Sequence, residues 1–387
     1  MSASISAADV TAQRAAALQA LAKVADDFRE ACTTQEPEKA PETETDCVHY
    51  TRDFAAFQRD YDAACEREEH GQQPVPYMTK NATGGLGDRG FGVEIEFDIS
   101  PGVDPQVAIA KIGRDLKAAG LSRSAQIYQY HTQKKEGYTR APNEWRLETD
   151  GTLTRGAELV SPILGDDSQS WRSLATACRI ILENGGQASR QTGGHVHVGM
   201  PDYGLDVAKF SCLLRMFNAH QDVLYRLAQN PAAADQKHRG AFWCQVNNVP
   251  SENYRAISQI EIYHDDAINL ASAFGGGQGA HGEFRWWDGS LNPSVIQTQV
   301  KLSLALTAAA ARGDDTIVPN TVIPVGTHAK KYPLRVEQRQ QEWGDDWKAE
   351  TEIFRRMIDD LFKRSADKEQ ATALFQQTRW QPDSILE

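Results

Sequence analysis

The 387-residue chain has no run approaching the roughly 18 uninterrupted apolar residues that cross a bilayer, which excludes a helical membrane span. Its first thirty residues lack a basic start, an apolar core and a cleavage site, so the expected location is cytoplasmic. Cysteine is sparse. The six (Cys32, Cys47, Cys65, Cys178, Cys212, Cys244) are scattered without a Cys-x-x-Cys pair, which predicts free thiols rather than disulfides. Basic residues are also in deficit, 41 against 53 acidic, for a net charge of −12. A chain so acidic is a poor match for a nucleic-acid backbone, whose recognition depends on clustered Lys and Arg. Nucleotides are not excluded, because divalent cations bridge acidic side chains and phosphates.

What is present is an ordinary globular balance, 40% hydrophobic and 24% charged. Val10, Ala17, Leu18, Leu21, Val24 and Phe28 recur at helical spacing, and a second helix is expected through Phe54, Phe57 and Tyr61. Between them, residues 35–46 carry acids and prolines but nothing larger than alanine for a core, and read as a solvated linker. The run Thr83-Gly84-Gly85-Leu86-Gly87 leads into a strand and lacks a Gly-Lys-Ser/Thr ending, so it reads as a loop rather than a P-loop. Further helices are expected from Asp104-Pro105 to Gly120, through Trp171 to Ile181, over Val207–Ala228, and from Asn292-Pro293 to Gly313. A charged helix is expected over Asp345–Phe362. Trp171, Trp347 and Met200 are expected to pack, and Lys330 to Arg339 to be a solvated face. The organisation expected is a helical extension (1–89), a core (90–315) and a second helical extension (316–387).

The informative segments are short strands with polar faces. In Phe91-Gly-Val-Glu-Ile-Glu-Phe-Asp98, Glu94, Glu96 and Asp98 share one face and Val93, Ile95 and Phe97 the other. Alone, this reads as a solvated edge face rather than as a site. Trp145-Arg-Leu-Glu-Thr-Asp150-Gly places Asp150 at a turn, and Gly156-Ala-Glu158-Leu-Val-Ser-Pro opens another apolar strand. In Thr192-Gly-Gly-His195-Val-His197-Val-Gly, both imidazoles share a face, as metal or phosphate ligands or as structural histidines. In His281-Gly-Glu283-Phe-Arg285-Trp-Trp, Glu283 and Arg285 lie opposite Phe284 and Trp286. A sheet with an apolar back and so many ionisable groups in front would be costly to bury without ions. Acids beside an arginine suit magnesium-bound phosphates, whereas zinc would favour fewer acids and more nitrogen or sulfur. These residues predict a multi-metal phosphoryl-transfer site.

The order Gly-Val-Glu-Ile-Glu, Glu-x-Asp-Gly, Gly-x-Glu-Leu-Val-Ser-Pro, Gly-Gly-His-Val-His-Val and Glu-Phe-Arg-x-x-x-Gly-Ser-Leu-Asn resembles the amidoligase family. That family belongs to the glutamine-synthetase-like carboxylate-amine ligase superfamily, and the resemblance covers about residues 90–310. It implies an α+β fold, a curved and mainly antiparallel sheet with helices on its back. It also implies an ATP site with two or three Mg2+ ions, or Mn2+. Carried over, Glu94, Glu96, Asp150, Glu158, His197 and Glu283 would hold metal, and His195 would face metal or nucleotide. Arg285 would contact the γ-phosphate, with Arg239, in His238-Arg-Gly-Ala-Phe-Trp-Cys244, as a looser match, and Asn269 weaker still. The stretch Gln126–Asn143 departs from the family core and is expected to shape substrate entry. The activity implied is activation of a carboxylate as an acyl phosphate, followed by capture by an amine. The partners implied are small-molecule or peptide carboxylates and amines, with no nucleic acid and no membrane, and a homo-oligomer left open. Two alternatives stand beside it: a metal-dependent hydrolase using His195, His197 and Asp150, and an inert binding protein on the same fold.

Overall fold

Strand β1 (Phe91–Ile99) is the axis of the sheet, and its alternation explains why. Val93, Ile95, Phe97 and Ile99 are all buried on one side. That leaves the acids on the other. In this computed structural model, residues 75–86, 89–189, 191–230, 247, 254–313 and 347–378 are described. The expected helices over 8–32 and 54–61, the linker 35–46, Lys330 to Arg339, the Trp347 side chain, Arg239 and four of the cysteines lie outside the described residues. Cys178 and Cys212 are buried thiols outside any disulfide.

The fold mixes helix with an open antiparallel sheet. Strands β2 (Arg146–Glu148), β3 (Gly156–Val160), β5 (Gly193–Gly199), β6 (Ile268–Asn269) and β7 (His281–Asp288) run in the order β2-β3-β1-β5-β7-β6, and β4 (Gly186–Gln187) pairs with the end of β1. Each pairing is antiparallel. Between β5 and β7 the register shifts at Gly194/Val196: Val196 pairs with Phe284 but Gly194 with Trp287. The extra residue on β7 is a bulge. It reverses the alternation, so Trp286 and Trp287 are both buried with ring centroids 4.6 Å apart. Trp287 Nε1 then donates to Ser303 Oγ on the helix behind the sheet, at 3.3 Å.

The helices are α1 (Pro105–Ala118), α2 (Thr132–Glu136), α3 (Ser168–Glu183), α4 (Val207–Ala219), α5 (Gln221–Leu227), α6 (Pro293–Ala311), α7 (Trp347–Leu361) and α8 (Ser365–Gln377). Their starts follow the sequence signals. Asp104 accepts from Gln106 N and Val107 N ahead of the first-turn proline, and Asp167, Asp206 and Asn292 cap α3, α4 and α6 in the same way. The helix expected over Val207–Ala228 is divided. His220 leaves helical geometry (φ −115°, ψ 12°), and its Nδ1 lies 3.0 Å from Met216 O, the carbonyl that its own backbone N–H also bonds. The tail holds a second helix, α8, beyond the single one expected.

Helix α6 packs on β5, α4, α7 and α8 and is buried nearly all round. A helix without a polar face belongs in a core. Some of its buried polar groups are matched: Gln297 accepts from Met78 N at 2.9 Å and donates to Met78 O at 2.6 Å, and Lys301 meets Asp367 of α8, whereas Ser294 Oγ and Gln299 Nε2 have no partner among the described residues. The glycine-rich run is a clamped turn. Asp166 accepts from Ala82 N, Thr83 N and Thr83 Oγ1 on one side. On the other, Arg364 donates to Asn81 O and Ala82 O at 2.6 and 2.7 Å.

Candidate active site

The registers line up the front-face residues in rows. Glu148, Glu158 and Glu96 stand opposite one another across β2, β3 and β1. Glu94 faces His195, while His197 faces Glu283, which in turn faces Asn269. Cross-strand partners share a face at close range, so residues far apart in sequence become one cluster.

Glu94 is the hub. Its Oε2 is 2.8 Å from His195 Nδ1 and its Oε1 is 3.0 Å from His197 Nε2. The second contact is short but poorly aligned, and both His197 ring nitrogens are buried without a hydrogen-bond partner. His195 also lies 3.5 Å from Glu283 and 3.8 Å from Glu96. Gly193 N–H donates to Glu96 Oε2 at 2.7 Å, and Asn269 Nδ2 to Glu283 Oε2 at 3.0 Å. Arg285 donates to Glu283 Oε1 and keeps a buried Nε without a partner. Asp150 is held in its turn by Thr152 N and Oγ1, at 2.6 and 2.7 Å from Oδ1. Ligand atoms of Glu94, Glu158 and His195, of Glu94, His197 and Glu283, and of Glu96, Asp150 and Glu158 converge within 4.8 Å in each trio.

The charges are strongly coupled. Burial pushes Glu158 well above the usual carboxylate range, and Glu94 and Glu96 push it further. For Glu94 burial acts in the same direction, but His197 and His195 outweigh it and hold the carboxyl low. Burial would lower His197, and Glu94 outweighs that to raise it. Glu283 is held low by both histidines and Arg285 against its burial.

This donor set fits divalent cations. The all-oxygen trio of Glu96, Asp150 and Glu158 suits a hard ion such as Mg2+ or Mn2+. The orphaned His197 nitrogens beside Glu94 and Glu283 suit a second, mixed site. Among the described residues, no trio joins both histidines with Asp150, which the hydrolase alternative requires.

Beside the cluster lies a cavity of about 750 Å³, within the usual range for small-molecule sites. His197, His281 and Tyr138 line it, with the Gly85–Leu86 turn and Arg89, Arg140 and Arg312. Arg89 is tied to Asp202 and to Gly199 O. The His197 and His281 ring centroids are 5.4 Å apart.

The front-face residues singled out from the sequence are thus in or beside one cluster, apart from Asp98, which accepts from Ser189 Oγ, and Arg239, which lies outside the described residues. Two contributors went unassigned. Glu148 was visible only as the first letter of Glu-x-Asp-Gly, and Tyr138 only as part of the inserted stretch.

The fold and site together define a class: an antiparallel sheet presenting acids, a histidine pair and an arginine on one face, with helices behind. Residues 87–234, the segment that holds β1–β5, match the family model described as "Putative amidoligase enzyme". Glu283 and Arg285 lie beyond it. Solved structures share similarity at low identity. A structure titled "novel glutamine synthase homolog" has 13% identity and a TM-score of 0.34, covering 75% of this chain and 70% of that one. A GmaS/ADP complex has 12% identity and a TM-score of 0.38, covering 78% and 73%. GmaS without ligand has 11% identity and a TM-score of 0.35, covering 78% and 72%. At these TM-scores the likeness carries no weight for the site. No curated protein matches the sequence. No described helix is long and apolar enough to cross a membrane.

Proposed function

We propose that this chain is an ATP- and divalent-metal-dependent carboxylate–amine ligase, with its chemistry in the core 90–315 and helical extensions at 1–89 and 316–387. The observation that supports it most is the meeting of three carboxylate-containing trios with Arg285 in one cluster, whose His197 also lines the cavity. Glu96, Asp150 and Glu158 would hold one cation, and Glu94, Glu283 and the histidines another. Mg2+ or Mn2+ bound there would neutralise phosphate oxygens. The cavity lined by His197, His281 and Tyr138 would receive the nucleotide beside the carboxylate cluster. Arg285 has donors left after pairing with Glu283 and faces the transferring phosphoryl group.

A substrate carboxylate oxygen attacks the γ-phosphorus, the bond from that phosphorus to the β–γ bridging oxygen breaks, and ADP leaves. An amine nitrogen then attacks the acyl carbon, the carbon–oxygen bond to phosphate breaks, and the amine proton passes to a base. The products are an amide or isopeptide, ADP and phosphate. The family match over 87–234 agrees with this reading.

Calorimetry with the non-hydrolysable analogue AMPPNP, with and without Mg2+, tests it on the parent chain and on Glu94→Gln. Binding that needs Mg2+ and falls at least tenfold in the variant supports the ligase. Tight zinc with no nucleotide binding would transfer the site to metal-assisted hydrolysis, and no binding of either would leave an inert scaffold.

A further inference from the structure

Glu148 stands in the carboxylate row with Glu158 and Glu96 and is 1% exposed, so register alone would make it another metal ligand. Its oxygens are otherwise engaged. Thr132 N–H donates to Oε2 at 3.2 Å and Gln133 N–H to Oε1 at 3.0 Å. It belongs to none of the converging trios among the described residues.

Those amides open α2, which the chain reaches through His131 in the left-handed region (φ 60°, ψ 25°). For a non-glycine residue that conformation costs about 1–2 kcal/mol, so its surroundings must hold it. They do so at several points. Gln133 is 1% exposed and its Nε2 donates to Ser161 O at 3.2 Å. Tyr128 N donates to Leu147 O at 2.8 Å, and Thr149 N to Tyr128 O at 2.9 Å. Both backbone bonds splice the start of the segment onto β2. The segment then passes both halves of the site. Tyr130 lies on the side of the carboxylates, where burial and the charges of Glu158, Asp150 and Glu94 hold its phenol above its ordinary range. Tyr138 lies in the cavity, its ring centroid 6.2 Å from that of His197 and 5.7 Å from that of His281.

We propose that Glu148 is a positioning residue and not a metal ligand: it fixes residues 129–138 as the wall joining the carboxylate cluster to the cavity, and so shapes the ligand that spans them. The ligand half of this inference rests on the phosphoryl-transfer reading; the pinning of the segment does not.

The test uses the full chain and Glu148→Gln, which keeps the shape but leaves one oxygen acceptor for two amides. Hydrogen exchange at residues 131–133 is expected to quicken about tenfold, as for the loss of one hydrogen bond. Mn2+ binding, followed by electron paramagnetic resonance, is expected to stay within about twofold of the parent, whereas Glu158→Gln loses an ion. With Mn2+ present, the AMPPNP dissociation constant is expected to rise about threefold to tenfold, and hardly at all in a Tyr138→Leu background, because coupled residues are not additive. Loss of an Mn2+ ion in Glu148→Gln would make it a ligand and overturn the proposal. Unchanged exchange would overturn the pinning, and an AMPPNP effect that persists in the Tyr138→Leu background would overturn its route through the segment. If the parent binds neither Mn2+ nor AMPPNP, the phosphoryl-transfer reading fails instead, and the exchange measurement alone decides the pinning.

Discussion

Lys301 of α6 and Asp367 of α8 form an ion pair in the core, with Nζ 2.5 Å from Oδ1 and side chains only 1% and 4% exposed. Burial pushes the Lys301 ammonium down to about 8 even with that carboxylate beside it. The two partners are not equally dependent. Asp367 also accepts two hydrogen bonds from Arg364, whereas among the described residues Lys301 has only Gln370 Oε1 besides. Asp367→Ala therefore strands a buried cation and is expected to cost about 3–5 kcal/mol. Lys301→Met, which leaves Asp367 with Arg364, should cost clearly less. Urea denaturation of both variants checks the order, and the reverse order would mean that Arg364 does not sustain the carboxylate.

Gly84 has φ +62°, and a Cβ there would clash with Arg364 Nε. Gly84→Ala is expected to cost at least about 1–2 kcal/mol from the backbone alone. It should also weaken AMPPNP binding, since neighbouring Gly85 and Leu86 line the cavity. Adding Arg364→Ala removes the clash, so the pair should be less than additive in denaturation midpoints.

Burial pushes the Asp266 carboxyl up to about 6 although Tyr263 N–H donates to it at 2.7 Å. The raised value means that the folded chain holds the proton more firmly than the unfolded one. Its contribution is fully present below about pH 4 and is lost as pH rises through about 6. Asp266→Asn cannot lose that proton. Relative to the parent, the variant should gain about 2 kcal/mol between pH 4 and pH 7, as read from thermal melts at both. A constant difference across that range would show that Asp266 titrates normally.

Much of this site could be read along the strands, because alternation is local. Glu94 and Glu96 had to share a face, as did His195 and His197, and each pair does. What alternation cannot supply is which strand lies beside which. That Glu94 faces His195 and His197 faces Glu283 depends on ladders closing over about one hundred residues. Glu148 shows the limit most clearly. Its strand position matches that of a ligand, and only the return of α2 onto it redirects its oxygens to backbone amides. The break at His220 was hidden for a similar reason, since apolar spacing continues straight through it from α4 into α5.

Glu158 sits among Glu94, Glu96 and Asp150, with the repulsion concentrated on a buried carboxylate. Glu158→Gln removes one of those charges. In EDTA the variant is expected to be more stable than the parent by about 1–2 kcal/mol, the scale of relieving an unfavourable buried charge. On adding Mg2+ its melting temperature should rise less than the parent's. A variant less stable in EDTA yet equally responsive to Mg2+ would remove Glu158 from the metal set.

The bulge in β7 makes that strand a splice of two half-strands in opposite phase. Residues 281–285 put their polar side chains forward, and Trp286 and Trp287 both turn into the core. The reacting half and the packing half are thereby free to vary separately, since a substitution in one does not change the facing of the other. Their lengths are not free. Deleting Arg285 at the splice would restore simple alternation and swing the Trp286 indole onto the face where Glu283 now stands.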